Sequence, residues 1–421
     1  MSPASAPPRD TRWRAALAPG NILAAGAIVA PPLAVFAPLG MAPLLALVAV
    51  ALLAGDWRRC LAWIRPFAPL GALLVLLSLW AALTSLWSPI AAHSLFESAR
   101  FLAICAAGLC ILGAGAALAA SASARLGRAA VIGVTIAVVL LQFELWSGKV
   151  LWHLLRGMAL DEYVALARYD RGVTLLLLAA WPAAAALIVR RARWALAVLA
   201  IAVGITLYQF DSRSAFLAAL IGLAALAAAW RLPRLVAVAL VGGVALIAVA
   251  FPLVAPGGPG IERVHEAAPM LRQSAIHRLV IWRFVSDRIA ERPLLGWGMD
   301  ASRALPGGQE PAGDIAPELD MDIAAEALPL HPHDAALQWR VELGAPGALL
   351  CIAALGVVLW RIAADRSMAT PHRALALGCA GAALTIAMLS FGAWQAWWLS
   401  SLWLTAALLA GARRREDSAA A

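Results

Sequence analysis

The sequence predicts an all-α polytopic membrane protein of about twelve transmembrane helices, with one large water-facing loop between the ninth and the tenth. Three observations carry that expectation. The first is composition: 63% of residues are hydrophobic, 14% are charged and the mean hydropathy is +0.83. An ordinary soluble domain has roughly 45–50% apolar and about 25% charged residues, so a water-soluble fold is excluded. The second is recurrence of apolar stretches close to the length of about 20 residues that crosses a hydrocarbon core. The third is an alternation of basic and acidic connections between them.

The expected spans are 21–38, 40–55, 67–86, 100–119, 129–146, 172–189, 194–209, 214–230, 234–254, 341–360, 374–391 and 394–411. With the N-terminus inside, alternate connections carry Arg58, Arg59 and Arg65; Arg125 and Arg128; Arg190, Arg191 and Arg193; Arg231 and Arg234; Arg361, Arg366 and Arg373; and Arg413 to Arg415. Basic residues concentrate on the cytoplasmic side of membrane proteins, so both termini are expected there. The opposite connections hold most of the acids, including Glu97, Asp161, Glu162, Asp170 and Asp211. Arg9, Arg12 and Arg14 precede the first span without a small-residue cleavage site, which predicts an uncleaved anchor.

The net charge of +9 is spread over these connections rather than gathered on one face, which speaks against a nucleic-acid partner. Cys60, Cys105, Cys110, Cys351 and Cys379 lie in or beside apolar segments without metal-ligand spacing and read as packing residues. Ala, Gly and Leu richness within the spans predicts close helix packing, and Pro31, Pro32 and Pro182 predict kinks. Trp394, Trp397 and Trp398 read as an interfacial aromatic belt. No internal repeat is visible, which speaks against an inverted-repeat transporter.

Three parts follow. Residues 1–254 hold the first nine helices, 255–340 form the large loop, and 341–421 hold the last three helices and a tail. Within the first part, 147–171 is an external segment whose stretch Val150 to Arg168 is expected as an amphipathic helix, with Leu151, Trp152, Leu154, Leu155 and Met158 on its apolar face. The large loop opens on a turn at Pro256 to Gly260 and carries a helix from about Met270 to Arg292. An acidic run follows, with Asp314, Glu318, Asp320, Asp322 and Glu326, and the loop closes on His331-Pro-His333-Asp334.

His333-Asp334, nine further residues and then Gly344-x-x-Gly347 resembles the signature of the bacterial O-antigen ligase and polymerase superfamily, which also contains protein O-oligosaccharyltransferases. Asp334 stands where that family usually has Asn, Ser or Gln. Asp211-Ser-Arg213-Ser-Ala-Phe, and Arg278-Leu-Val-Ile-Trp282 leading into Pro293-Leu-Leu-Gly-Trp-Gly298, resemble its arginine motifs. The specific likeness covers roughly 205–350 and is closest to the ligases. It implies a GT-C-like membrane glycosyltransferase of the inner membrane with a periplasmic active site. The donor would be a glycan on polyprenyl (undecaprenyl) diphosphate, and the acceptor a hydroxyl of the lipid A core oligosaccharide. Membrane lipids would be its surroundings, and no metal or other cofactor is expected.

Residue types fit that chemistry. A diphosphate leaving group needs fixed positive charge as its bond to the sugar breaks, and arginine binds phosphate bidentately without losing its proton. Arg213 and Arg278 are the expected clamp. An acceptor hydroxyl must lose a proton, which histidine can take near neutral pH, and His333 is the expected base. Arg171, His331, Asp334 and Trp282 are expected in substrate binding. Duller readings stand beside these: Arg213 snorkelling to headgroups, Arg278 on the solvated face of an amphipathic helix, His331 as a structural residue, and the histidines as a metal pair with nearby acids. The alternatives for the whole chain are an O-antigen polymerase, a protein O-oligosaccharyltransferase, or a transporter of lipid-linked glycans.

Overall fold

A computed structural model of the chain describes residues 17–254, 273–315 and 325–412. Among these residues there is no β-strand, only an isolated bridge between Pro311 and Glu326. The helices are α1 (Pro19–Phe36), α2 (Met41–Ile64), α3 (Ala68–Thr84), α4 (Ala91–Ala116), α5 (Ala120–Trp146), α6 (Val150–Arg156) and α7 (Asp170–Val189). They continue with α8 (Arg193–Gln209), α9 (Arg213–Ala229), α10 (Pro233–Val254), α11 (Gln273–Glu291), α12 (Ala335–Ala364), α13 (Thr370–Leu389) and α14 (Ala396–Ala412).

Among the described residues, eight helical stretches are long and apolar enough to cross a membrane, one of them being Pro38–Thr84, which contains the two expected spans 40–55 and 67–86. The expected spans 194–209, 214–230 and 394–411 form the shorter apolar helices α8, α9 and α14. The all-helical membrane fold is therefore as expected, and each expected span is helical. Small residues set the packing. Between α9 and α13, a Cβ added to Gly222 would lie 2.9 Å from the Gly378 carbonyl, and one on Gly378 would lie 2.8 Å from the Gly222 carbonyl. Backbones approach this closely in lipid because dispersion contact, not water exclusion, holds such helices together. All five cysteines are free and buried.

Several local expectations need correction. Pro31, Pro32 and Pro182 lie inside continuous helices, whereas the backbone leaves helical geometry at Asp56 and Gly344. The amphipathic helix expected over Val150 to Arg168 ends at Arg156, because Gly157 adopts a left-handed conformation (φ +64°) that closes it. Leu154 and Leu155 are exposed, while Trp152 is buried. Trp394, Trp397 and Trp398 do not form an exposed belt: all three are buried, and the Trp394 indole donates to Glu342. The helix in the large loop is observed at Gln273–Glu291. The turn at Pro256 to Gly260, Arg272, Glu318, Asp320, Asp322, Arg413 to Arg415 and the N-terminal arginines lie outside the described residues.

The break at Gly344 (φ +64°, ψ −165°) organises the functional end of the molecule. Val341, Glu342 and Leu343 turn their carbonyls to partners outside α12, accepting from Trp297 N–H (2.9 Å), Gly298 N–H (2.8 Å) and the Trp80 indole (2.8 Å). Irregular backbone at membrane depth is tolerated where such partners are supplied. Only glycine suits residue 344, since its dihedrals are closed to L side chains and an added Cβ would run into the Leu294 carbonyl. Gly344→Ala should therefore lower stability by roughly 2–4 kcal/mol. Thermal unfolding in detergent checks this; an unchanged midpoint would show that the 293–298 loop does not depend on the break.

Candidate active site

His331-Pro-His333-Asp334 forms the entry to α12, and each residue of the turn is pinned separately. Asp334 is the N-cap: its carboxylate accepts from Leu337 N–H at 2.9 Å. Burial pushes its pKa up to about 7, against the lowering effect of those backbone N–H groups. A cap needs an oxygen acceptor on a short side chain, which Asp, Asn and Ser all offer, so the departure at Asp334 keeps the local geometry. The Trp282 indole on α11 donates to the Pro332 carbonyl at 2.9 Å. Trp282 thus bonds to the turn itself.

The two imidazoles are in contact with centroids 4.3 Å apart and their planes tilted by 60°. His333 N–H donates to His331 Nδ1 (3.2 Å), so the proton of neutral His331 sits on Nε2. Burial, with His333, Arg303 and Arg171 nearby, pushes the His331 pKa down to about 3. It is neutral throughout the physiological range, and 7% exposed. His333 is half-buried and held at φ +56°, a conformation few side chains adopt.

The ring of His333 has a defined tautomer. Nδ1 lies 2.6 Å from the Ser390 carbonyl. A carbonyl can only accept, so Nδ1 carries the proton and Nε2 keeps its lone pair. Burial lowers the His333 pKa; the Ser390 hydrogen bond acts the other way, and Arg278 and His277 add to the lowering. A lowered pKa keeps the ring neutral and able to take a proton at neutral pH.

Arg278, on α11, lies close enough to both His333 and Asp170 for each to feel its charge. It is half-buried, and desolvation lowers its pKa while Asp170 opposes that. On the same helix Ile276, Val280, Ile281, Phe284, Val285 and Ile289 are buried, while Arg278 is half-buried and its charge acts on His333. Arg171 places its guanidinium over the Trp397 ring (5.4 Å) and acts on His331. Arg213 stands apart. It is exposed, with Nε 3.2 Å from Asp211 Oδ1, and shares with the site only the 210–213 turn, whose Asp211 acts on Asp170.

The segment before Arg171 is anchored by buried polar groups. Glu144 accepts from Leu151 N–H (2.9 Å), Trp152 N–H (3.0 Å) and the Tyr169 hydroxyl. His153 has Nδ1 2.7 Å from the Lys149 carbonyl and Nε2 2.8 Å from the Glu162 carbonyl. Two acceptors require two protons, so this ring is an imidazolium. Its pKa is raised, first by the Glu162 carbonyl and then by that of Lys149. Because the folded value lies above the unfolded one, the contact contributes fully below about pH 6.5. It is lost as pH rises through the folded value. Hydrogen exchange of residues 157–165 should therefore quicken as the sample is made alkaline, beyond the intrinsic pH effect, and His153→Phe should abolish that extra pH dependence; identical profiles would disprove it.

Sequence reading passed over Glu342 and Arg303. Glu342 is wholly buried and accepts from Asp300 N–H (2.8 Å), Gln338 Nε2 (3.0 Å), the Trp394 indole (2.6 Å), and the Ser302 hydroxyl and N–H. A glutamate at the start of an otherwise apolar span was the available signal. Arg303 acts on His331 and on Glu97, and lines an open groove of about 590 Å³ with Gln309 and Glu310. Among the described residues, His93, Glu97 and Asp300 form a His/acid group able to hold a metal. There His93 Nε2 already bonds Asp300 Oδ2 (2.9 Å) and Arg100 pairs with Glu97.

Part of this constellation falls within a segment that matches a known family. Residues 199–352 match the family described as O-antigen ligase. The resemblance read from the motifs is thereby borne out, and the segment contains Arg213, Arg278, Trp282, His331, His333, Asp334 and Glu342 while leaving Arg171 outside. The chain is 30% identical over 285 residues to a protein of Rickettsia conorii named as a putative polysaccharide ligase, covering 66% of this chain and 65% of that one. A protein of the same name from Rickettsia prowazekii is 29% identical over 279 residues, covering 65% of each. The similarity thus spans 65% of these relatives' length. No solved structure matches the chain.

Proposed function

We propose that the chain is a polysaccharide ligase of the bacterial inner membrane. It transfers a glycan from polyprenyl diphosphate to a hydroxyl of the lipid A core oligosaccharide at the periplasmic face. The observation that carries this reading is the His333 ring, neutral by burial, with Nδ1–H given to Ser390 and Nε2 free to accept, beside the Arg278 guanidinium.

The acceptor oxygen attacks the anomeric carbon while its proton passes to His333 Nε2. The bond from that carbon to the diphosphate oxygen breaks, and the electron pair leaves on the polyprenyl diphosphate. Arg278 meets the charge that develops there, where a fixed guanidinium needs no reorganisation. Arg213, exposed at the mouth of α9, meets the donor as it arrives, and Arg171 completes the positive rim. A single displacement inverts the anomeric centre, so an alpha-linked donor gives a beta-linked product.

Reconstitution tests this reading. Purified protein in liposomes, given lipid-diphosphate-linked glycan and lipid A core, should form the joined product with inverted linkage and be indifferent to a chelator. Retention of configuration, or loss of activity with the chelator, would contradict it. A reporter fused after Gly308 should read as periplasmic, and a cytoplasmic readout would exclude the proposed sidedness.

A further inference from the structure

We propose that Glu342 is the positioning residue for His333, its buried carboxylate clamping the 300–302 turn, the first turns of α12 and the 390–394 turn into one unit that fixes the orientation of the ring. The catalytic consequence rests on the proposed role of His333, whereas the positioning itself does not.

Every group hydrogen-bonded to the Glu342 side chain is a donor. Asp300 and Ser302 offer backbone N–H, Ser302 its hydroxyl, Gln338 its amide NH₂ and Trp394 its indole N–H. Only an acceptor-only group satisfies them all, and a carboxylate has about four lone-pair sites to give. A buried carboxylate is costly unless hydrogen-bonded in this way, so the arrangement is one in which each partner holds the others.

The link to His333 runs through the turn after α13. Gln338, whose NH₂ donates to Glu342, uses its other atom, Oε1, to accept from Ala393 N–H at 2.8 Å. Trp394, next in sequence, donates to Glu342 directly. The turn is thus fastened at two adjacent residues. Ser390, at its start, supplies the carbonyl that takes the His333 Nδ1 proton. Gly392, between them, lies against His331, where an added Cβ would come within 3.0 Å of the ring. The same carboxylate fixes the 300–302 turn, after which comes Arg303, whose charge acts on His331. Glu342 is in turn fixed by the break at Gly344, since its carbonyl accepts from Gly298 N–H rather than from its own helix.

Glu342→Gln keeps the shape but points an NH₂ group at donors, which loosens the 390–394 turn and with it the Ser390 carbonyl. The experiment is ¹⁵N NMR of histidine-labelled protein in nanodiscs, wild type against Glu342→Gln. The chain has seven histidines, and the His333 signals are assigned by their loss in His333→Asn. The charged or titratable groups that act on His333, namely Arg278, His277 and His331, are unchanged in the variant.

Wild type should show His333 as the Nδ1–H tautomer with a midpoint below the ordinary value. In Glu342→Gln the midpoint should move further down, because the loosened Ser390 carbonyl no longer raises it, with Nε2–H tautomer appearing. Transfer should fall on the order of 10–100-fold in kcat, with the donor KM little changed, as misplacement of a reacting group produces. An unchanged tautomer and midpoint would overturn the proposal. Should Glu342→Gln not fold, Trp394→Phe removes one donor only and should move the midpoint the same way by less; no movement there overturns it equally. If the His333 signals shift as described while His333→Asn still transfers glycan, the positioning stands and the proposed base falls.

Discussion

Replacing His333 should remove transfer from a protein that is still folded and inserted. A general base contributes about 10²–10⁴-fold, and here the adjacent His331 cannot stand in. His331 is buried, its Nδ1 accepts from the His333 backbone, and its pKa is pushed down to about 3, so it is too weak a base. The choice of substitution matters, because His333 sits at φ +56°. Ala there adds backbone strain that could be mistaken for a catalytic effect, whereas Asn tolerates this region. Both His333→Asn and His333→Ala should lose about 10²–10⁴-fold in kcat, with the Asn variant matching wild type in thermal stability. Initial rates in liposomes check this. Substantial residual turnover in His333→Asn would exclude His333 as the base. In wild type, activity should fall only as pH drops below the ordinary histidine value of about 6.5, because burial lowers the His333 pKa and the base works in its neutral form.

Arg278→Ala should cost on the order of 10²–10³-fold in transfer, the usual effect of removing one fixed donor from a developing negative charge. Part of the damage could be structural, since the change leaves Asp170 without the cation that acts on it. The double variant Arg278→Ala/Asp170→Asn separates the two effects: it should recover stability without recovering activity. Arg278→Lys should restore only part of the rate, because an ammonium cannot make the paired contacts of a guanidinium to phosphate. Full activity in Arg278→Ala, or full rescue by the double variant, would remove Arg278 from the clamp. Arg213 differs in kind. It is exposed and paired with Asp211, so its loss should act on the donor KM more than on kcat.

What the sequence could reveal follows from the range of the interactions involved. Spans were legible because hydropathy is a local property, and each expected span is helical. The turn His331-Pro-His333-Asp334 was legible because capping and re-entry are local too, although the cap itself became visible only with the Leu337 contact. The amphipathic helix was drawn too long because its apolar periodicity outweighed Gly157, the residue that ends it. The tryptophans misled for another reason: an indole at an interface and an indole donating to a buried carboxylate have the same neighbours in sequence. Trp394 is distinguished by Glu342, 52 residues away. Glu342 itself gathers partners from residues 300, 302, 338 and 394, and no local pattern announces such a convergence. Arg278 and Arg213 were equal candidates as letters, and burial is what tells them apart.

The most direct test of the central claim is the lipopolysaccharide of a strain lacking this chain, with O-antigen followed separately in the lipid A core fraction and the carrier-lipid fraction. The proposed function predicts bare core together with polymer accumulating on the carrier, reversed by the wild-type chain but not by His333→Asn. Core capped by a single repeat would instead make the protein a polymerase. An unchanged ladder would contradict the lipid A core as acceptor.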